Sequence, residues 1–441
     1  MSAIVRRGAC PTLAAPMETG DGLLVRVNPL LQGLTPKQLI GLCKSAARNG
    51  NGIVEITARG SFQIRGLTAA GVEALARDVT ALAISVRTGV PVETGPLAGL
   101  DPDETADPRG LAEAIRERIA NAGLAARLGP KVSVVVDGGG TIGFDAVMAD
   151  IRLAAEDAPG EAKAWWGLSI GGDARTARFV GVLDEAAACS AVVSILAEIA
   201  AMGVDARARD LDLTSVRPLV TSPSIERGSR PSVPVGTIKL TGRQCALGIA
   251  LPFGSIPAES LIAFAEYAAA LGVLDLRLSP GRALLALCHS AAVAVELKEG
   301  AKSCGFITDP RDPSLAISAC PGAPACASGH FAAREIAAAI VRDARELVEP
   351  DTTLHVSGCP KGCAHPAPAT FTLVGDENGI GLVVNGTARH TPLAYTQPQG
   401  LRDSLRRMVR LMAKQRPPSQ QPGRIADIHR RQLAAAFARD I

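Results

Sequence analysis

The sequence predicts an internally duplicated α+β protein in which each half contains a small α/β unit followed by a larger one. A strand–helix–strand pattern that begins at Gly22 occurs again from Leu247, about 222 residues later. Further along, a strand that enters and leaves a glycine-rich loop begins at Lys131 and returns at Thr352 with nearly the same offset. The chain has 441 residues, which is long enough for several such units.

Each small unit is predicted to begin with an apolar strand that leads through a turn rich in Pro and Gly into a helix. The helices open near "TPKQL" and "IPAESL", and the segments "GIVEIT" and "GVLDLRLS" lead into further strands. The change between helical and two-residue periodicity supports this order of elements.

The larger units share a loop, but only the second copy contains thiols. "KVSVVVDGGGTIGF" aligns with "TTLHVSGCPKGCAH", so that Gly139 and Gly143 stand where the second half has Cys359 and Cys363. The repeats predict four regions, with these boundaries: residues 1–80, 81–235, 236–300 and 301–441.

Two polar segments are predicted to lie outside these units. "RPLVTSPSIERGSRPSVPVG" is rich in Pro and Ser, and it is predicted to link the two halves. The end of the chain, "KQRPPSQQPGRIADIHRRQLAAAFARDI", is predicted to form a polar linker and a short basic helix.

The composition predicts a cytoplasmic globular protein that binds neither nucleic acid nor membranes. Hydrophobic residues make up 47% of the chain and charged residues 20%, and aromatic residues only 3%. The net charge of +3 is small and dispersed. The first residues lack the apolar core of a signal peptide, and the longest apolar stretches are too short to span a bilayer.

Ten cysteines are spread through the chain, and without an export signal we expect most of them to be reduced. Six lie in core-helix, strand or segment-end patterns and are given no chemical role: Cys10, Cys43, Cys189, Cys245, Cys288 and Cys304.

The other four cysteines form two pairs framed by Gly and Pro. "ACPGAPACASG" contains Cys320 and Cys326, and "GCPKGC" contains Cys359 and Cys363. Short Gly/Pro loops allow several thiolates to converge, as an iron–sulfur cluster requires. The following stretch, "SGHFAAREIAAAIVRDARELV", is predicted to form a helix starting just after Cys326, with its positive end towards the thiolates.

Three other interpretations of these cysteines compete with an iron–sulfur site. A redox-active pair is more often C-x2-C. A structural zinc site usually has pairs with two to four intervening residues. Core cysteines rarely occur as two pairs in Gly/Pro loops. The C-x5-C and C-x3-C spacing therefore favours a [4Fe–4S] cluster.

The motif C-x5-C…C-x3-C resembles that of the sulfite and nitrite reductase family, and "ITARGSFQIRG" is similar to the T-x-R-x-x-x-Q element of that family. The resemblance covers nearly the whole chain. It implies that residues 1–80 and 236–300 are ferredoxin-like half-domains, which alternate with reductase-type α/β domains at 81–235 and 301–441. It also implies that only the last domain holds the cluster.

Within the family, the chain is most similar to the branch that converts precorrin-3A to precorrin-3B in aerobic cobalamin biosynthesis. "GACPTLAAPMETGDGLLVRV" and "SGCPKGCAHP" carry this similarity. Two departures from the reductases agree with it. The reductases have a K-x-K element, and Ser133 replaces its second lysine in this chain. Val90 replaces an arginine of the reductases, and Arg87 is nearby but out of register. A dianion such as sulfite needs several converging cations.

The resemblance implies a monooxygenase that uses O2 and reducing equivalents to form a hydroxylated γ-lactone of the tetrapyrrole. Its implied cofactors are a [4Fe–4S] cluster on Cys320, Cys326, Cys359 and Cys363 and a mononuclear non-haem iron. NADH is expected as the ultimate electron source, through an external donor or reductase. The alternatives are a siroheme-dependent sulfite or nitrite reductase and, from a different class, a non-catalytic electron-transfer module.

The acidic arms of a tetrapyrrole call for arginine and lysine. Arg59 and Lys131 match family elements, and Arg26 and Arg65 are inferred from their proximity in the sequence. A solvated strand face is an equal alternative for Arg26. Three weaker candidates lie near the link between the halves: Arg227, Arg230 and Arg243.

Lys131 and His365 are the candidate catalytic residues. His365 follows Cys363 by two residues and is the best-placed candidate iron ligand, although hydrogen bonding to a sulfur or a backbone group is the alternative. His330 is open to either role. Asp137 is predicted to reach the cleft or to cap its own loop. By position Cys363 would bridge cluster and haem iron in a siroheme enzyme, and we hypothesise that the substrate occupies the haem's place.

Overall fold

The computed structural model describes residues 11–29, 33–156, 164–212, 233–348, 352–414 and 430–438. The predicted link between the halves, with Arg227 and Arg230, lies almost entirely outside these residues, as do Cys10 and residues 415–429 of the C-terminal linker. The chain divides into two compact units. The cysteine unit comprises Glu18–Leu23 and Asp309–Ile441, and the main unit comprises Arg7–Met17 and Leu24–Thr308.

Four five-stranded sheets organise the described residues, and they fall into two pairs of equal topology. The strands of the two smaller sheets are β1 (Met17–Thr19), β2 (Gly22–Val27), β3 (Gly33–Leu34), β4 (Ile53–Ile56), β5 (Phe62–Leu67), β11 (Gly236–Lys239), β12 (Cys245–Ala250), β13 (Ser255–Pro257), β14 (Leu276–Ser279) and β15 (Ala283–Cys288). Their orders are β1-β2-β5-β4-β13 and β11-β12-β15-β14-β3. The predicted duplication is therefore confirmed in the strand order itself.

The two smaller sheets exchange one edge strand with each other. Strand β3, from the first half, pairs antiparallel with β14, and Leu34 lies opposite Leu276. Reciprocally, β13 of the second half pairs antiparallel with β4, and Ile256 lies opposite Val54. Each exchanged strand closes an edge that would otherwise present unpaired backbone groups. Within the main unit, the two repeats are thus joined by backbone hydrogen bonds.

The two larger sheets have a common strand order, with three parallel strands followed by two antiparallel ones. Their strands are β6 (Val92–Thr94), β7 (Val134–Asp137), β8 (Ala149–Glu156), β9 (Trp165–Gly172), β10 (Arg178–Leu183), β16 (Ile317–Ala319), β17 (Leu354–Ser357), β18 (Ala369–Asp376), β19 (Gly379–Gly386) and β20 (Ala394–Thr396). The first sheet belongs to the main unit and the second to the cysteine unit.

Helices pack on these sheets through apolar faces. In the described residues they are α1 (Pro36–Asn49), α2 (Ala69–Ala81), α3 (Arg109–Asn121), α4 (Glu185–Met202), α5 (Ala258–Ala270), α6 (Ala291–Ser303), α7 (Ala333–Asp343), α8 (Leu401–Lys414) and α9 (Arg430–Phe437). Local sequence fixes several starts: Thr35 forms a capping box with Gln38 before α1, and Thr68 caps α2. The short basic helix predicted at the C-terminus is α9.

One helix in the described chain, α4, is long and apolar enough to cross a membrane by length and composition alone. Its buried side includes Val192, Ile195 and Ile199, which pack in one core with residues of α3 and the first larger sheet. Because it packs among sheet residues such as Trp166, α4 is a core helix of that domain.

The cysteines without an assigned role lie where the patterns placed them. Cys43 is buried in α1 and Cys189 in α4. Cys245 opens β12 and stands directly opposite Cys288 at the end of β15. Burial raises the pKa of the Cys288 thiol to about 12, with the neighbouring Cys245 adding to the rise. Buried thiols of this kind are unreactive.

The helix predicted from Ser328, just after Cys326, begins instead at Ala333, so this prediction is wrong by five residues. The intervening backbone groups are engaged otherwise: Gly329 N–H donates to the carbonyl oxygen of Cys326 in a turn of the same loop, and His330 N–H donates to that of Gly358 in the other loop, at 2.8 Å each. Since these amides bond to partners outside a helix, helical hydrogen bonding starts only beyond them. The N-terminus of α7 therefore does not adjoin Cys326 along the chain.

Candidate metal centre and substrate site

The two cysteine loops emerge from adjacent parallel strands of the cysteine unit. β16 ends just before Cys320, and β17 ends two residues before Cys359. Because β16 and β17 are parallel neighbours, their carboxyl ends meet at one edge of the sheet. The fold therefore brings the two loops together, although the whole of α7 lies between Cys320 and Cys359 in the sequence.

Three glycines allow the loops to cross backbone against backbone. A Cβ atom on Gly358 would lie 3.0 Å from the Cα of Gly322 and 3.3 Å from the Cα of Gly329. Gly322 has a φ of 69°, a conformation that favours glycine. In the second motif, Lys361 reaches across and donates to the hydroxyl of Ser328 at 2.8 Å. The crossing is thus fixed by backbone contact and by one side-chain bond.

The Cys320 thiol lies among amide donors and other thiols. Gly358 N–H donates to Cys320 Sγ at 3.2 Å. Burial raises the pKa of the Cys320 thiol, the N–H groups of Gly358 and Gly322 oppose the rise, and the thiols of Cys359 and Cys326 add to it. Three of the four predicted ligands are therefore near enough to interact electrostatically.

The fourth predicted ligand, Cys363, is exposed, whereas Cys359 is buried. Among the described residues, no three Cys, His, Asp or Glu side chains stand together in metal-binding geometry. The donor set nevertheless fits an iron–sulfur cluster in its chemistry. It offers two thiol pairs on crossing loops, with backbone N–H groups directed at sulfur.

An N-terminal turn supports the first cysteine loop within the cysteine unit. A Cβ atom on Gly20 would lie 2.6 Å from the amide nitrogen of Ala327 and 2.9 Å from the carbonyl carbon of Cys326. Sequence reasoning missed this contact because nothing in the local pattern relates two segments that lie so far apart in the chain.

His365 lies beside a second histidine that sequence reasoning did not select. The rings of His355 and His365 meet edge to face, with centroids 5.7 Å apart. His355 is fully buried on β17, and His365 is partly exposed, with Nε2 3.4 Å from the carbonyl oxygen of Pro368. The sequence did contain one signal that could have identified His355: it lies in the strand that leads into the second cysteine motif. His330 is exposed at the end of the first loop.

In the main unit, one face of the first small sheet is polar although it is buried. Glu55, Gln63 and Arg65 are only 4%, 6% and 5% exposed. Arg26 Nε donates to Gln63 Oε1 at 2.9 Å, and the Gln63 amide donates to Glu55. The structure therefore brings two predicted substrate residues, Arg26 and Arg65, to the same face, and it binds Arg26 into a network rather than leaving it as a solvated strand residue.

The second small sheet has lost most of this polar character. Leu285 and Leu287 occupy the positions that correspond to Gln63 and Arg65, 222 residues earlier. Leu285 packs with Leu97 and Ile142, which belong to the loops of the first larger domain. Only the position of Glu55 keeps a charged residue, Arg277, which lies opposite Leu285. The repeats thus keep one fold, with a mainly apolar sheet face in one copy and a charged face in the other.

The thiol-free loop of the first half is held by carboxylates. Asp137 accepts hydrogen bonds from Gly139 N–H and Phe144 N–H, which agrees with the loop-capping interpretation. Asp101 accepts from Thr141 N–H, and Glu104 accepts from the amide of Gly99 at 2.7 Å. In the first half, aspartate side chains accept hydrogen bonds from the amides of this loop. The matching loop of the second half carries Cys359 and Cys363 instead.

The remaining predicted substrate residues lie elsewhere in the main unit. Arg59 is on the turn between β4 and β5, and its guanidinium donates to the carbonyl oxygen of Met148. Lys131 is exposed before β7, and its carbonyl oxygen accepts from Arg207 at 3.1 Å. Arg243 is exposed on the turn before β12. Arg59 lines a small cleft, and Lys131 is not among the residues that line it.

Comparisons with known proteins agree with the duplicated architecture. Residues 15–82 match the nitrite/sulfite reductase ferredoxin-like half domain. The structure of the NirA protein of Mycobacterium tuberculosis superposes with a TM-score of 0.76 at 20% identity, covering 93% of this chain and 84% of that one. This likeness confirms the predicted fold class. A ferredoxin–nitrite reductase of Leptolyngbya laminosa is 24% identical, over 83% of this chain and 81% of its own.

A much greater similarity joins the chain to one enzyme. The precorrin-3B synthase of a Sinorhizobium species is 44% identical over 417 residues, which cover 93% of this chain and 90% of that protein. Both halves of the duplication and both cysteine motifs fall within a match of this extent. The chain therefore belongs to the precorrin-3B synthase family, on the fold of the sulfite and nitrite reductases.

Proposed function

We propose that the chain is an iron–sulfur monooxygenase that converts precorrin-3A to precorrin-3B in cobalamin biosynthesis. The similarity of 44% over nearly the whole chain carries this proposal, because the nitrite reductase relative reaches only 24%. One atom of O2 enters the product as the new oxygen substituent. The other is reduced to water by two electrons and two protons from the reductant.

Cys320, Cys326, Cys359 and Cys363 would hold a [4Fe–4S] cluster at the crossing of the two loops. When bound, such a cluster supplies electrons one at a time. The amide of Gly358 stabilises negative charge on the Cys320 sulfur, because N–H donors favour the thiolate over the thiol. The family also implies a mononuclear non-haem iron. NADH is the proposed ultimate electron source, through an external donor or reductase.

Arg26 and Arg65, with Arg59 and Lys131, are the proposed contacts for the carboxylate arms of the tetrapyrrole. The buried network of Arg26, Gln63 and Glu55 supports this proposal, since a charged sheet face without a ligand is costly to bury. A bound carboxylate would receive two parallel N–H bonds from a guanidinium.

His365 is the proposed proton carrier, holding a proton at Nε2 for transfer to or from the substrate. Its position directly after the second cysteine motif supports this role, and the His355 ring restrains its orientation by edge-to-face contact. Lys131 is the second proposed catalytic residue, because it retains the first lysine of the K-x-K element. The four-region division at 80, 235 and 300 and a cytoplasmic location are proposed with this function.

A siroheme-dependent sulfite or nitrite reductase is the alternative. The fold that the chain shares with the NirA protein is the observation that supports it. The deciding experiment is purification without oxygen, followed by incubation with precorrin-3A, O2 and a reducing system. We expect cluster absorption without siroheme bands, and an ¹⁸O₂ label that enters the tetrapyrrole product. Tightly bound siroheme together with sulfite reduction would reject the proposal, and so would the absence of a hydroxylated product with an active electron donor.

A further inference from the structure

A small cleft rich in arginine lies in the main unit, at the turn between β4 and β5. Of the described residues that line it, four carry charged side chains: Arg59, Arg87, Arg116 and Glu93. We refer to it as the arginine cleft. Its lining also includes Asn28 and Ser61, which offer further hydrogen-bonding groups. The cleft therefore has an excess of positive charge together with polar groups suited to an oxyanion.

Two of the arginines are held in place by the protein. Arg87 pairs with Glu93 at 2.5 Å, and both side chains are mostly buried, at 17% and 16% exposure. Arg116, on α3, donates to the carbonyl oxygen of Val92 at 2.8 Å and to Glu113 at 2.8 Å. Fixed guanidinium groups bind a carboxylate with little loss of side-chain freedom.

One polar atom in the cleft wall is left without a partner. Arg116 Nε is buried, and it has no hydrogen-bond partner among the described residues. A buried guanidinium N–H that donates to nothing costs free energy. Because this atom is fully enclosed, an anion in the cleft would pair with it only after the guanidinium turns towards the anion. The unpaired donor and the positive charge of the cleft both favour a negatively charged occupant.

The size of the cleft limits what that occupant is. Its cavity volume is about 70 Å³. Since about 10–15 Å³ of such space holds one water molecule, the cleft holds a group of a few heavy atoms, such as a carboxylate or a phosphate, and excludes a macrocycle. The hairpin that carries Arg59 also carries Gln63 and Glu55 of the buried polar face. A ligand on that face would have one of its arms near this turn.

We propose that the arginine cleft is a carboxylate subsite that takes one acidic arm of the tetrapyrrole, and that Arg87 and Arg116 determine specificity for that arm. This inference rests on the proposed function. Glu93 acts as an internal competitor, because it occupies Arg87 until a substrate carboxylate displaces it. The subsite therefore favours substrates whose periphery is fully carboxylated over those with an esterified or decarboxylated arm.

The test measures binding of uroporphyrin, an octacarboxylate, to the full chain by fluorescence quenching. The Arg116→Gln variant should weaken binding by about tenfold or more, the effect of removing a charged hydrogen-bond donor. The Glu93→Gln variant should strengthen binding by up to about fivefold, since Arg87 is released. Arg118→Gln is the matched control. It lies on the same helix but bonds to Ser190, and it should bind as the wild type does.

Weaker uroporphyrin binding by Arg116→Gln together with tighter binding by Glu93→Gln, at unchanged melting temperatures, supports the subsite. Equal binding by wild type, Arg116→Gln and Glu93→Gln overturns it while leaving the proposed function intact. Millimolar phosphate or acetate should displace uroporphyrin from proteins that retain Arg116 and not from Arg116→Gln. This result would further support the subsite. If phosphate binds through Arg116 but uroporphyrin does not, the cleft holds a free oxyanion and the substrate subsite is rejected. Absence of all tetrapyrrole binding, with no turnover of precorrin-3A, rejects both proposals.

Discussion

The backbone amide of Gly358 donates a hydrogen bond to Cys320 Sγ across 3.2 Å, and so joins the two cysteine loops of the C-terminal sheet. A bond of this kind needs close approach of two backbones, and any side chain at the crossing would obstruct it. We therefore expect the proposed binding of iron and the packing of the two loops to depend on each other at this point.

Replacing Gly358 by alanine should separate the loops. The new Cβ would meet Gly322 and Gly329 backbone atoms, so we expect loss of cluster iron and a lower melting temperature. Iron analysis and thermal melting check this. Gly110→Ala on α3 is the control, because a Cβ there has open space and should stabilise the helix by at most about 1 kcal/mol. Full iron content in Gly358→Ala would contradict the coupling.

Serine at any of the four cluster positions should abolish the cluster absorption. The exposed Cys363 is the decisive case, since the other three thiols already lie near one another. We expect Cys363→Ser to lose the visible spectrum after anaerobic purification, whereas Cys304→Ser, at the end of α6, should keep it. An intact spectrum in Cys363→Ser would show that a different residue completes the ligand set.

His365→Ala should lower turnover of precorrin-3A by at least about a hundredfold, the usual contribution of a positioned acid or base. Iron content should not change, because the proposed role is proton transfer. Single-turnover rates and iron analysis separate the two effects. His289→Ala, an exposed histidine of the main unit, is the control. Loss of iron in His365→Ala would instead identify His365 as a ligand.

Glu104 should make the fold less stable as pH rises. Burial is the main cause that raises the pKa of this carboxyl to about 7, with Asp107 and Asp101 adding to the rise. The unfolded chain loses its proton near 4.5, so between about pH 4.5 and 7 the native state holds the extra proton and stability falls with pH. Glu104→Gln keeps an acceptor for Gly99 but removes this charge.

Thermal melting of wild type and Glu104→Gln at pH 5 and pH 8 tests this assignment. We expect the melting temperature of the wild type to fall further between these pH values than that of the variant. Parallel pH profiles would mean that another group controls the dependence. Glu104 lies in the loop between β6 and α3 of the main unit, and the four predicted cluster cysteines belong to the other unit, so iron content should be unaffected.

Asp150 should be among the most sensitive residues of the main unit. It is 2% exposed, and it accepts from Arg207 at 2.7 and 2.8 Å and from the amides of Ser133 and Ala208. Asp150→Ala should lower the free energy of unfolding by about 3–5 kcal/mol, because it removes the carboxylate that pairs with the partly buried guanidinium of Arg207 and that accepts from two backbone amides.

The exposed pair Arg48–Asp78 provides the matched control for that substitution. Asp78→Ala should cost less than about 1 kcal/mol, since exposed ion pairs contribute little. Urea denaturation of both variants gives the comparison. Similar losses in the two variants would show that the Asp150 network does not stabilise the domain.

The sequence predicted those features that repeat or that follow a short period. The duplication, the strand and helix patterns and the two Gly/Pro cysteine loops were recognisable, because each is written in neighbouring residues. The start of α7 was not, since the amides of Gly329 and His330 bond to partners that the local pattern does not reveal. The exchanged strands β3 and β13 were also missed, because two or three residues are too few to show a period.

Taken alone, the amino-acid sequence predicted the α+β duplication and the family, which are confirmed, and the four thiol ligands, which stay a prediction. The tertiary structure decided which residues meet. It placed His355 against His365, Arg26 against Gln63 and Glu55, and Arg87 and Arg116 in one cleft with Arg59. Such contacts depend on how sheets and loops pack across distances in sequence that no local periodicity encodes.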